Sequence, residues 1–417
     1  MNNITIKPRM LKGRVKVPPS KSIAHRAIIA AALSKGDCTI GNVALSADIE
    51  ATLNGIRALG SKYTYSKKDG RVSIGTRKRS GGNIEIDCGE SGSTLRFLIP
   101  IALLSGKKIK LIGHGRLMQR PMEPYLKMFS MHGISCITEG NCMYLDGKLK
   151  SGAYEIEGNI SSQFITGLLF ALPLAEGDSE IIVTTTAESR GYIDLTLDVL
   201  KKFGIRVENH NYMRYVIPGG QSYKAQNFIV EGDYSQAAFF LVAGAIGGDV
   251  VCEGLSADSL QGDREIIDII KRTGAKIEEK DGGIRARQTG VMHGITVDAR
   301  EIPDLVPIIS VLLAFCRGES NIINAGRLRM KESDRLEAIC SELGHLGADI
   351  TEGADSLKIV GRQVLESNNV SSRNDHRIAM ALANAAQRCE GLDITIIDAG
   401  EAVKKSYPDF FEVYNKL

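Results

Sequence analysis

The sequence predicts an α/β protein of two lobes, each containing three repeated units of about 70 residues with buried helices and outer sheets, an inside-out α/β barrel. Three observations lead to this prediction: evenly spaced polar helix starts, evenly spaced glycines, and helices that are apolar on nearly every face. A fixed period along the whole chain is typical of a repeated architecture, because each repeat forms one supersecondary unit.

Six polar stretches each lead into an apolar segment that ends at a glycine. The predicted helix starts are Lys21, Ser91, Ser161, Tyr234, Asp304 and Asp375. The glycines that end these segments are Gly36, Gly106, Gly177, Gly247, Gly318 and Gly391. Helix N-termini carry free N–H groups and the positive end of the helix dipole, so the same anion-favouring feature recurs six times.

A second set of glycines keeps the same spacing and follows a second set of helices. These glycines are Gly60, Gly133, Gly204, Gly274 and Gly347. Each precedes a short alternating run, such as 205–208 or 275–278, which predicts a helix, a C-terminal glycine and then a strand. No strand follows the last helix, 410–417, so we expect the N-terminal strand 4–6 to close the sixth repeat.

The helices after the predicted starts are apolar all round. Segments 163–175, 237–246 and 305–316 have almost no polar face, which indicates complete burial. The strand segments alternate instead, so they can have one solvated face. Helices inside and sheets outside are the reverse of a doubly wound nucleotide-binding fold, and no glycine-rich nucleotide-binding motif occurs in the sequence.

The six repeats of this 417-residue chain divide into two groups of three. We predict one lobe at 20–230 and a second lobe made of 1–19 and 231–417. The chain would then cross between lobes twice, near 16–20 and 230–233. Two crossings favour hinge motion of the lobes about a cleft.

Composition excludes several classes of function. The net charge is +3, aromatic residues make up 6% and tryptophan is absent, which does not suit a nucleic-acid-binding surface. The apolar runs are shorter than the roughly 18 residues of a membrane span, and the first residues form no apolar signal region. The eight cysteines include no C-x-x-C pair. We therefore expect a reduced, cytoplasmic, monomeric protein without metal, cofactor, nucleic-acid or membrane partner.

The first three helix starts contain candidate ligand-binding groups. Lys21 and Ser22 cap the first helix, where a plain N-cap is the alternative, but Arg26 lies among apolar residues, and a buried cation usually requires an anion. Gly92 could let a ligand approach the backbone or could simply form a tight turn. The third start offers hydroxyl and amide groups that could equally be a structural cap: Ser161, Ser162 and Gln163.

Residues 331–335 are the densest charge cluster of the chain. Lys331 and Arg335 are spaced i, i+4, which predicts two cations on one helix face beside Glu332. That pattern suits an anionic substrate and an acid/base group, although an exposed first helical turn is the plain alternative. Asp304 follows Pro303 and precedes an apolar helix, so it could be an N-cap or a catalytic carboxylate.

Seven segments together resemble the 3-phosphoshikimate 1-carboxyvinyltransferase (EPSP synthase) family of enolpyruvyl transferases. They are Pro-Ser-Lys-Ser-x-x-x-Arg, Gly-x-Ser-Gly-Ser-Thr-x-Arg, Gln-Arg-Pro-Met, Ser-Ser-Gln, Lys-Glu-Ser-Asp-Arg-Leu, Asp-His-Arg-x-Ala-Met and Lys-Ser-Tyr-Pro-x-Phe. They occur in the family's order over nearly the whole chain. The family's fold, two lobes of three repeats with helices inside, agrees with the period found above.

The resemblance implies transfer of the enolpyruvyl group from phosphoenolpyruvate to the 5-hydroxyl of shikimate 3-phosphate. Residues matching the shikimate 3-phosphate site are Lys21, Ser22, Arg26, Ser161, Ser162, Gln163, Ser189, Asp304 and Lys331. Residues matching the phosphoenolpyruvate site are Lys21, Gly92, Arg120, Gln163, Arg335, Arg377 and Lys405. Asp304 corresponds to the base that takes the 5-hydroxyl proton, and Glu332 to the group that exchanges a proton with the enol carbon. The resemblance also implies that Lys21 is catalytic and that Lys21 and Gln163 contact both substrates.

Charge supports this implication independently. The two substrates together carry roughly −5 to −6, which the predicted cations can match only if they gather in one cleft. Two positions depart from the family pattern: Arg327 stands where many relatives have Asn, and Glu90 stands where some have Asn.

Two rival functions share this fold. UDP-N-acetylglucosamine enolpyruvyl transferases typically have a reactive cysteine five residues before the arginine of the Arg-Pro pair, and here that position is Gly115. An RNA-end-processing protein would want a basic, aromatic-rich face. Neither pattern is present.

Overall fold

The computed structural model describes residues 2–75, 82–280 and 282–417. These residues form two compact units, which we call unit I (Lys21–Val230) and unit II (Met1–Ser20 with Glu231–Leu417). Each unit has its own core of buried apolar side chains.

Both units are mixtures of α-helices and short strands. The α-helices are α1 (Lys21–Leu33), α2 (Ala47–Ala58), α3 (Gly92–Leu103), α4 (Glu123–Met131), α5 (Ser162–Ala171), α6 (Arg190–Lys202), α7 (Tyr234–Ala245), α8 (Ile266–Thr273), α9 (Val306–Ala314), α10 (Arg335–His345), α11 (His376–Ala385), α12 (Ala399–Ala402) and α13 (Phe410–Lys416). In the described part of the chain, no helix is both long enough and apolar enough to cross a bilayer.

The strands begin with β1 (Ile4–Ile6), β2 (Lys12–Lys16), β3 (Cys38–Gly41), β4 (Lys62–Ser66), β5 (Arg71–Gly75), β6 (Ile84–Asp87), β7 (Ile109–Ile112), β8 (Ser135–Glu139), β9 (Cys142–Asp146), β10 (Ala153–Ile156), β11 (Ser179–Val183), β12 (Glu208–His210), β13 (Arg214–Ile217) and β14 (Asn227–Ile229). They continue with β15 (Asp249–Glu253), β16 (Lys276–Lys280), β17 (Gly283–Arg287), β18 (Thr296–Asp298), β19 (Glu319–Ile323), β20 (Asp349–Glu352), β21 (Leu357–Val360), β22 (Leu365–Glu366), β23 (Val370–Ser371), β24 (Cys389–Glu390) and β25 (Ile394–Ile397).

Sheet topology repeats along the chain. Three sheets have the orders β6-β7-β9-β8, β10-β11-β13-β12 and β18-β19-β21-β20. In each of them the first two strands are parallel and flank a buried helix, and the other two strands are added antiparallel. Two further sheets, β14-β3-β5-β4 and β2-β15-β17-β16, have the same pairing pattern, but their first strand comes from a distant part of the chain.

The N-terminal strand closes the last sheet, as the sequence predicted. β1 pairs antiparallel with β25, with Ile4 opposite Ile396, and β25 pairs parallel with β23. The order β23-β25-β1 therefore matches the first three strands of the four-stranded sheets.

The helices after the predicted starts are buried because they have no polar face to present to water. Every residue of α7 and α9 is buried, and nearly every residue of α3 and α5 is. Strands such as β7, β9 and β10 alternate between buried and more exposed positions. The predictions of buried helices and half-buried strands are both confirmed.

One predicted strand is misplaced. The alternating run 205–208 is not a strand along its length, since β12 begins only at Glu208. The Arg206 N–H donates to the side-chain oxygen of Gln221 at 2.8 Å instead of to a neighbouring strand. The run 275–278 does lead into β16 as predicted.

Side chains cap several of the buried helices. Ser91, Ser161, Asp233 and Asp375 precede α3, α5, α7 and α11, and the side chain of each accepts a backbone N–H of the first turn. Such caps fix the direction in which each helix start points. Within each unit, they place polar residues at the starts of buried helices.

Candidate active site

The carboxylate of Asp304 accepts hydrogen bonds from three of the cations predicted in unit II. It lies in a 3₁₀ turn, Pro303–Leu305, directly before α9. Its Oδ1 accepts from Lys331 Nζ at 3.3 Å and from Arg335 Nη1 at 3.0 Å, and its Oδ2 accepts from Arg377 Nη2 at 3.0 Å. Asp304 occupies the N-cap position of neither this turn nor α9. The simple capping alternative for Asp304 is therefore wrong.

Arg335 is the centre of a buried ion network. Its side chain is 1% exposed, and it donates through Nε to Asp375 Oδ2 and through Nη2 to Glu332 Oε2, both at 2.7 Å. Asp375 is itself fully buried. One guanidinium therefore joins Asp304, Glu332 and Asp375, an arrangement that uses the planar, multi-donor geometry of arginine.

The predicted i, i+4 pairing of Lys331 and Arg335 on one helix face is wrong. Helix α10 begins at Arg335, because Asp334 caps it by accepting the Glu337 N–H. Lys331 lies before the helix, after a 3₁₀ turn at Gly326–Met330. The two cations nevertheless converge, since both donate to Asp304.

This network strongly perturbs its titratable groups. Burial raises the pKa of the Asp304 carboxyl, but Arg377, Lys331 and Arg335 outweigh burial and hold that pKa well below its usual range. Burial lowers the pKa of Lys331, an effect that Asp304 opposes. Burial lowers the pKa of the Arg335 guanidinium. Asp375, Glu332 and Asp304 raise this pKa by more, so it lies above its usual value. Asp304 is thus ionised at neutral pH.

Lys405 reaches the same region from a 3₁₀ turn, Val403–Lys405. Its Nζ donates to the carbonyl oxygen of Asn374 at 2.8 Å. Asn374 directly precedes Asp375, so Lys405 lies one residue from the ion network.

Another buried carboxyl, which the sequence did not indicate, lies in the same unit. Asp263 is 4% exposed and accepts a hydrogen bond from Ser235 in the first turn of α7. Burial, together with the negative charge of Asp304, raises the pKa of the Asp263 carboxyl to about 7. Asp263 therefore adds a carboxyl of variable charge to the surroundings of Asp304.

In unit I, three predicted residues and one unpredicted residue meet at Gly92, the first residue of α3. A Cβ placed on Gly92 would lie 3.1 Å from Arg120 Nη1, 3.3 Å from Arg96 Nη1 and 3.4 Å from Gln163 Oε1. Arg96 Nη1 donates to Gln163 Oε1 at 2.7 Å, and Gln163 Nε2 donates to Ser93 at 3.0 Å. The backbone of Gly92 thus faces two guanidinium groups.

Arg96 is the last residue of the motif Gly-x-Ser-Gly-Ser-Thr-x-Arg, and the resemblance assigned it no role. It is 6% exposed, and it also donates to the Pro121 carbonyl at 3.0 Å. A usable signal was present, because Arg96 lies 70 positions after Arg26, which is one repeat. In a repeated architecture, residues that are one repeat apart are expected at equivalent positions of their repeats.

Arg26 lies inside α1 and is held by neutral groups. It donates to the Ser22 carbonyl at 2.6 Å, to Thr196 Oγ1 at 2.9 Å and to the Tyr192 carbonyl at 3.0 Å. Burial lowers the pKa of its guanidinium to about 10. Ser189 lies three residues before Tyr192, is buried, and has a left-handed backbone conformation with φ of 56°.

The remaining predicted residues of unit I lie at the starts of α5 and α1. Ser161 caps α5 by accepting the Gln163 N–H at 3.3 Å, and Ser162 is the buried first residue of that helix. Lys21 begins α1, and its Nζ donates to Asp48 Oδ2 at 2.7 Å. Asp48 is another residue that the sequence did not single out.

Glu90 packs against Gly115, the position at which UDP-N-acetylglucosamine enolpyruvyl transferases typically have a reactive cysteine. A Cβ on Gly115 would lie 2.6 Å from Glu90 Oε2, and Gly115 has a φ of 55°. The positive φ therefore favours glycine at 115, and any side chain there would meet the carboxylate end of Glu90. A cysteine there would have to displace Glu90.

Comparisons with known proteins point to one family. The family model for EPSP synthase (3-phosphoshikimate 1-carboxyvinyltransferase) matches residues 6–414. The chain is 48% identical to the 3-phosphoshikimate 1-carboxyvinyltransferase of Clostridium novyi and 47% identical to that of Clostridium perfringens, covering 100% of this chain and 98% of each relative. The solved structure of EPSP synthase from Acinetobacter baumannii matches with a TM-score of 0.81 at 28% identity, over 99% of this chain and 97% of that chain.

Proposed function

This chain belongs to the EPSP synthase family, and on that premise we propose how its residues divide the work of the reaction. The reaction is the transfer of the enolpyruvyl group of phosphoenolpyruvate to the 5-hydroxyl of shikimate 3-phosphate, with release of phosphate, in the shikimate pathway of aromatic amino acid biosynthesis. The observation that carries the proposed roles is the convergence of three cations from family motifs on Asp304.

In the addition step, the 5-hydroxyl oxygen bonds to C2 of phosphoenolpyruvate. Asp304 accepts the hydroxyl proton, and Glu332 donates a proton to C3, so that C3 becomes a methyl group. In the elimination step, Glu332 takes a proton back from C3 as the C2–O bond to phosphate breaks, and the departing phosphate takes up the proton that Asp304 accepted. Proton transfer by positioned carboxyl groups of this kind typically contributes about 10²- to 10⁴-fold to a rate.

Asp304 must become a stronger base than it is in the free protein. The low pKa of its carboxyl depends on hydrogen bonds from Arg335 and Arg377. When the carboxylate and phosphate of phosphoenolpyruvate take hydrogen bonds from these arginines, Asp304 loses part of that stabilisation and its pKa rises. Binding of the substrate thereby prepares the base.

The proposed substrate-binding residues come from the family motifs. For shikimate 3-phosphate we propose Lys21, Ser22, Arg26, Ser161, Ser162, Gln163, Ser189, Asp304 and Lys331. For phosphoenolpyruvate we propose Lys21, Gly92, Arg120, Gln163, Arg335, Arg377 and Lys405. The contacts of Gly92 with Arg120 and Gln163, and the buried cation Arg26, support these assignments. Arg96 positions Gln163 through the 2.7 Å hydrogen bond.

The finer architecture is also a proposal. We propose two lobes, 20–230 and 1–19 with 231–417, each of three repeats with helices inside and sheets outside. The recurring strand order and the complete burial of α7 and α9 support it. The steps above use only side chains and the two substrates, and we propose a monomeric cytoplasmic enzyme.

Phosphate release tests the proposal directly. Purified protein should release phosphate only when shikimate 3-phosphate and phosphoenolpyruvate are both present. Replacing shikimate 3-phosphate by UDP-N-acetylglucosamine should abolish release. Phosphate release with the nucleotide sugar, or with phosphoenolpyruvate alone, would contradict the assigned reaction.

A further inference from the structure

Lys21 is held by a carboxylate that the proposed reaction does not use. Its Nζ lies 2.7 Å from Asp48 Oδ2, and the two side chains are 20% and 15% exposed. Asp48 lies in the first turn of α2, whose N-cap is Ser46. The ion pair therefore joins the start of α1 to the start of α2.

A buried hydrogen-bond chain holds the backbone of helix α2 beside this ion pair. His25 Nδ1 is 2.7 Å from Thr52 Oγ1, which is 2.7 Å from Thr94 Oγ1, and Thr94 donates to Ser91 Oγ at 2.8 Å. Thr94 Oγ1 is also 3.5 Å from the Asp48 carbonyl oxygen. The first turn of α2 is thus tied to α1 on one side and to the Gly92 turn on the other.

A fixed carboxylate beside a substrate-binding ammonium has two consequences. It holds the lysine side chain in one place, which reduces the entropy lost when an anion binds. It also offsets the lysine's positive charge, which weakens the attraction between that lysine and an anionic substrate. The pair is mostly buried, so solvent screens it less than a surface ion pair.

We propose that Asp48 is the resident counter-ion of Lys21, which positions the ammonium for the substrates and competes with their anionic groups for it. Asp48 thereby limits the affinity for phosphoenolpyruvate and keeps the phosphate product from binding tightly. This inference rests on the proposed function, because that function places Lys21 beside the substrates. A merely structural ion pair would change stability and leave anion affinity unaltered.

Two charge-removing variants on one helical turn test the proposal. Asp48→Asn keeps the shape of the side chain and removes its charge. Glu50→Gln removes an equal charge from the same first turn of α2, at an exposed position. Binding of inorganic phosphate is measured by calorimetry at constant ionic strength. We expect Asp48→Asn to tighten phosphate binding about fivefold or more and Glu50→Gln to change it less than about twofold. Equal effects of the two variants, or weaker binding by Asp48→Asn, would overturn the proposal.

A Lys21→Met variant separates this inference from the proposed function. If Lys21→Met leaves phosphate binding unchanged, the placement of Lys21 at the substrates is wrong, and the inference falls with it. If Lys21→Met weakens binding but Asp48→Asn does not strengthen it, only the inference fails. In the Lys21→Met background, Asp48→Asn should have no further effect, because its effect requires the ammonium. A full effect in that background would show that Asp48 acts as a general charge and would also overturn the proposal.

Discussion

Buried arginines in the two units are held by different kinds of partner. In unit I, Arg26 donates to one hydroxyl and two carbonyl groups, and Arg96 donates to an amide and a carbonyl. In unit II, Arg335 donates to three carboxylates. The hydroxyl, amide and carbonyl groups that accept these hydrogen bonds do not cancel the positive charge of the two guanidinium groups.

The difference is visible in the pKa values. Burial without a counter-ion lowers the pKa of Arg26 to about 10, whereas the carboxylates raise that of Arg335 in spite of burial. Unit I therefore keeps positive charge that suits anionic substrates. Unit II sets three cations against three carboxylates, and two of those carboxylates, Asp304 and Glu332, are the proposed proton carriers.

The largest predicted effect is on stability, when a buried arginine with carboxylate partners and one with neutral partners are each replaced. Arg335→Met leaves the fully buried Asp375 without its cation, so we expect a loss of about 3–5 kcal/mol in the free energy of unfolding. Arg26→Met leaves only neutral groups to be satisfied, so the loss should be about 2 kcal/mol or less. Urea unfolding of both variants measures this. Equal losses in the free energy of unfolding would show that the kind of partner does not determine how much a buried arginine stabilises the protein.

Asp263, in unit II, should make the free energy of unfolding depend on pH. The unfolded carboxyl ionises near its ordinary pKa, but the folded one stays neutral up to about pH 7. The folded state therefore holds the extra proton between about pH 4 and pH 7, and stability falls as the pH rises through that window. Three pKa units correspond to an upper limit of about 4 kcal/mol.

Asp263→Asn removes this charge while keeping the side chain's shape. The variant should be more stable than the parent at pH 8, and the difference should shrink towards pH 4. Thermal unfolding at both pH values checks the prediction. A pH-independent difference would mean that Asp263 is ionised throughout.

The smallest effect should come from Gly92→Ala. The added methyl group would lie 3.1–3.4 Å from Arg120, Arg96 and Gln163, so these groups must shift by a few tenths of an ångström. We expect the KM for phosphoenolpyruvate to rise about tenfold, or about 1.4 kcal/mol, with little change for shikimate 3-phosphate. Gly344→Ala is the control, since nothing lies within 4 Å of its Cβ position. Equal losses for both substrates in Gly92→Ala would indicate a general structural role.

Local sequence patterns predicted the repeats because each repeat uses the same local devices. A polar cap, an apolar helix and a glycine recur at fixed spacing, and these determine where α1, α3 and α5 begin. The same reasoning predicted that β1 closes the last sheet.

Side-chain contacts between residues of different repeats could not be predicted from local sequence patterns. Asp304 meets Lys331 and Arg377 across 27 and 73 residues, and nothing near Asp304 in the sequence specifies those partners. Lys331 was misplaced because the i, i+4 rule assumes one continuous helix, whereas the N-cap at Asp334 starts α10 only after Lys331. Asp48 and Asp263 give no local signal at all, since each is an ordinary acidic residue until tertiary contacts bury it.

Steady-state kinetics of Asp304→Asn beside Arg26→Gln tests the division of work between the units most directly. The account predicts that Asp304→Asn lowers kcat by about a hundredfold or more, with the KM values of both substrates changed only a few-fold or lowered. It predicts that Arg26→Gln chiefly raises the KM for shikimate 3-phosphate. Near-normal kcat in a correctly folded Asp304→Asn enzyme, or a loss confined to kcat in Arg26→Gln, would contradict it.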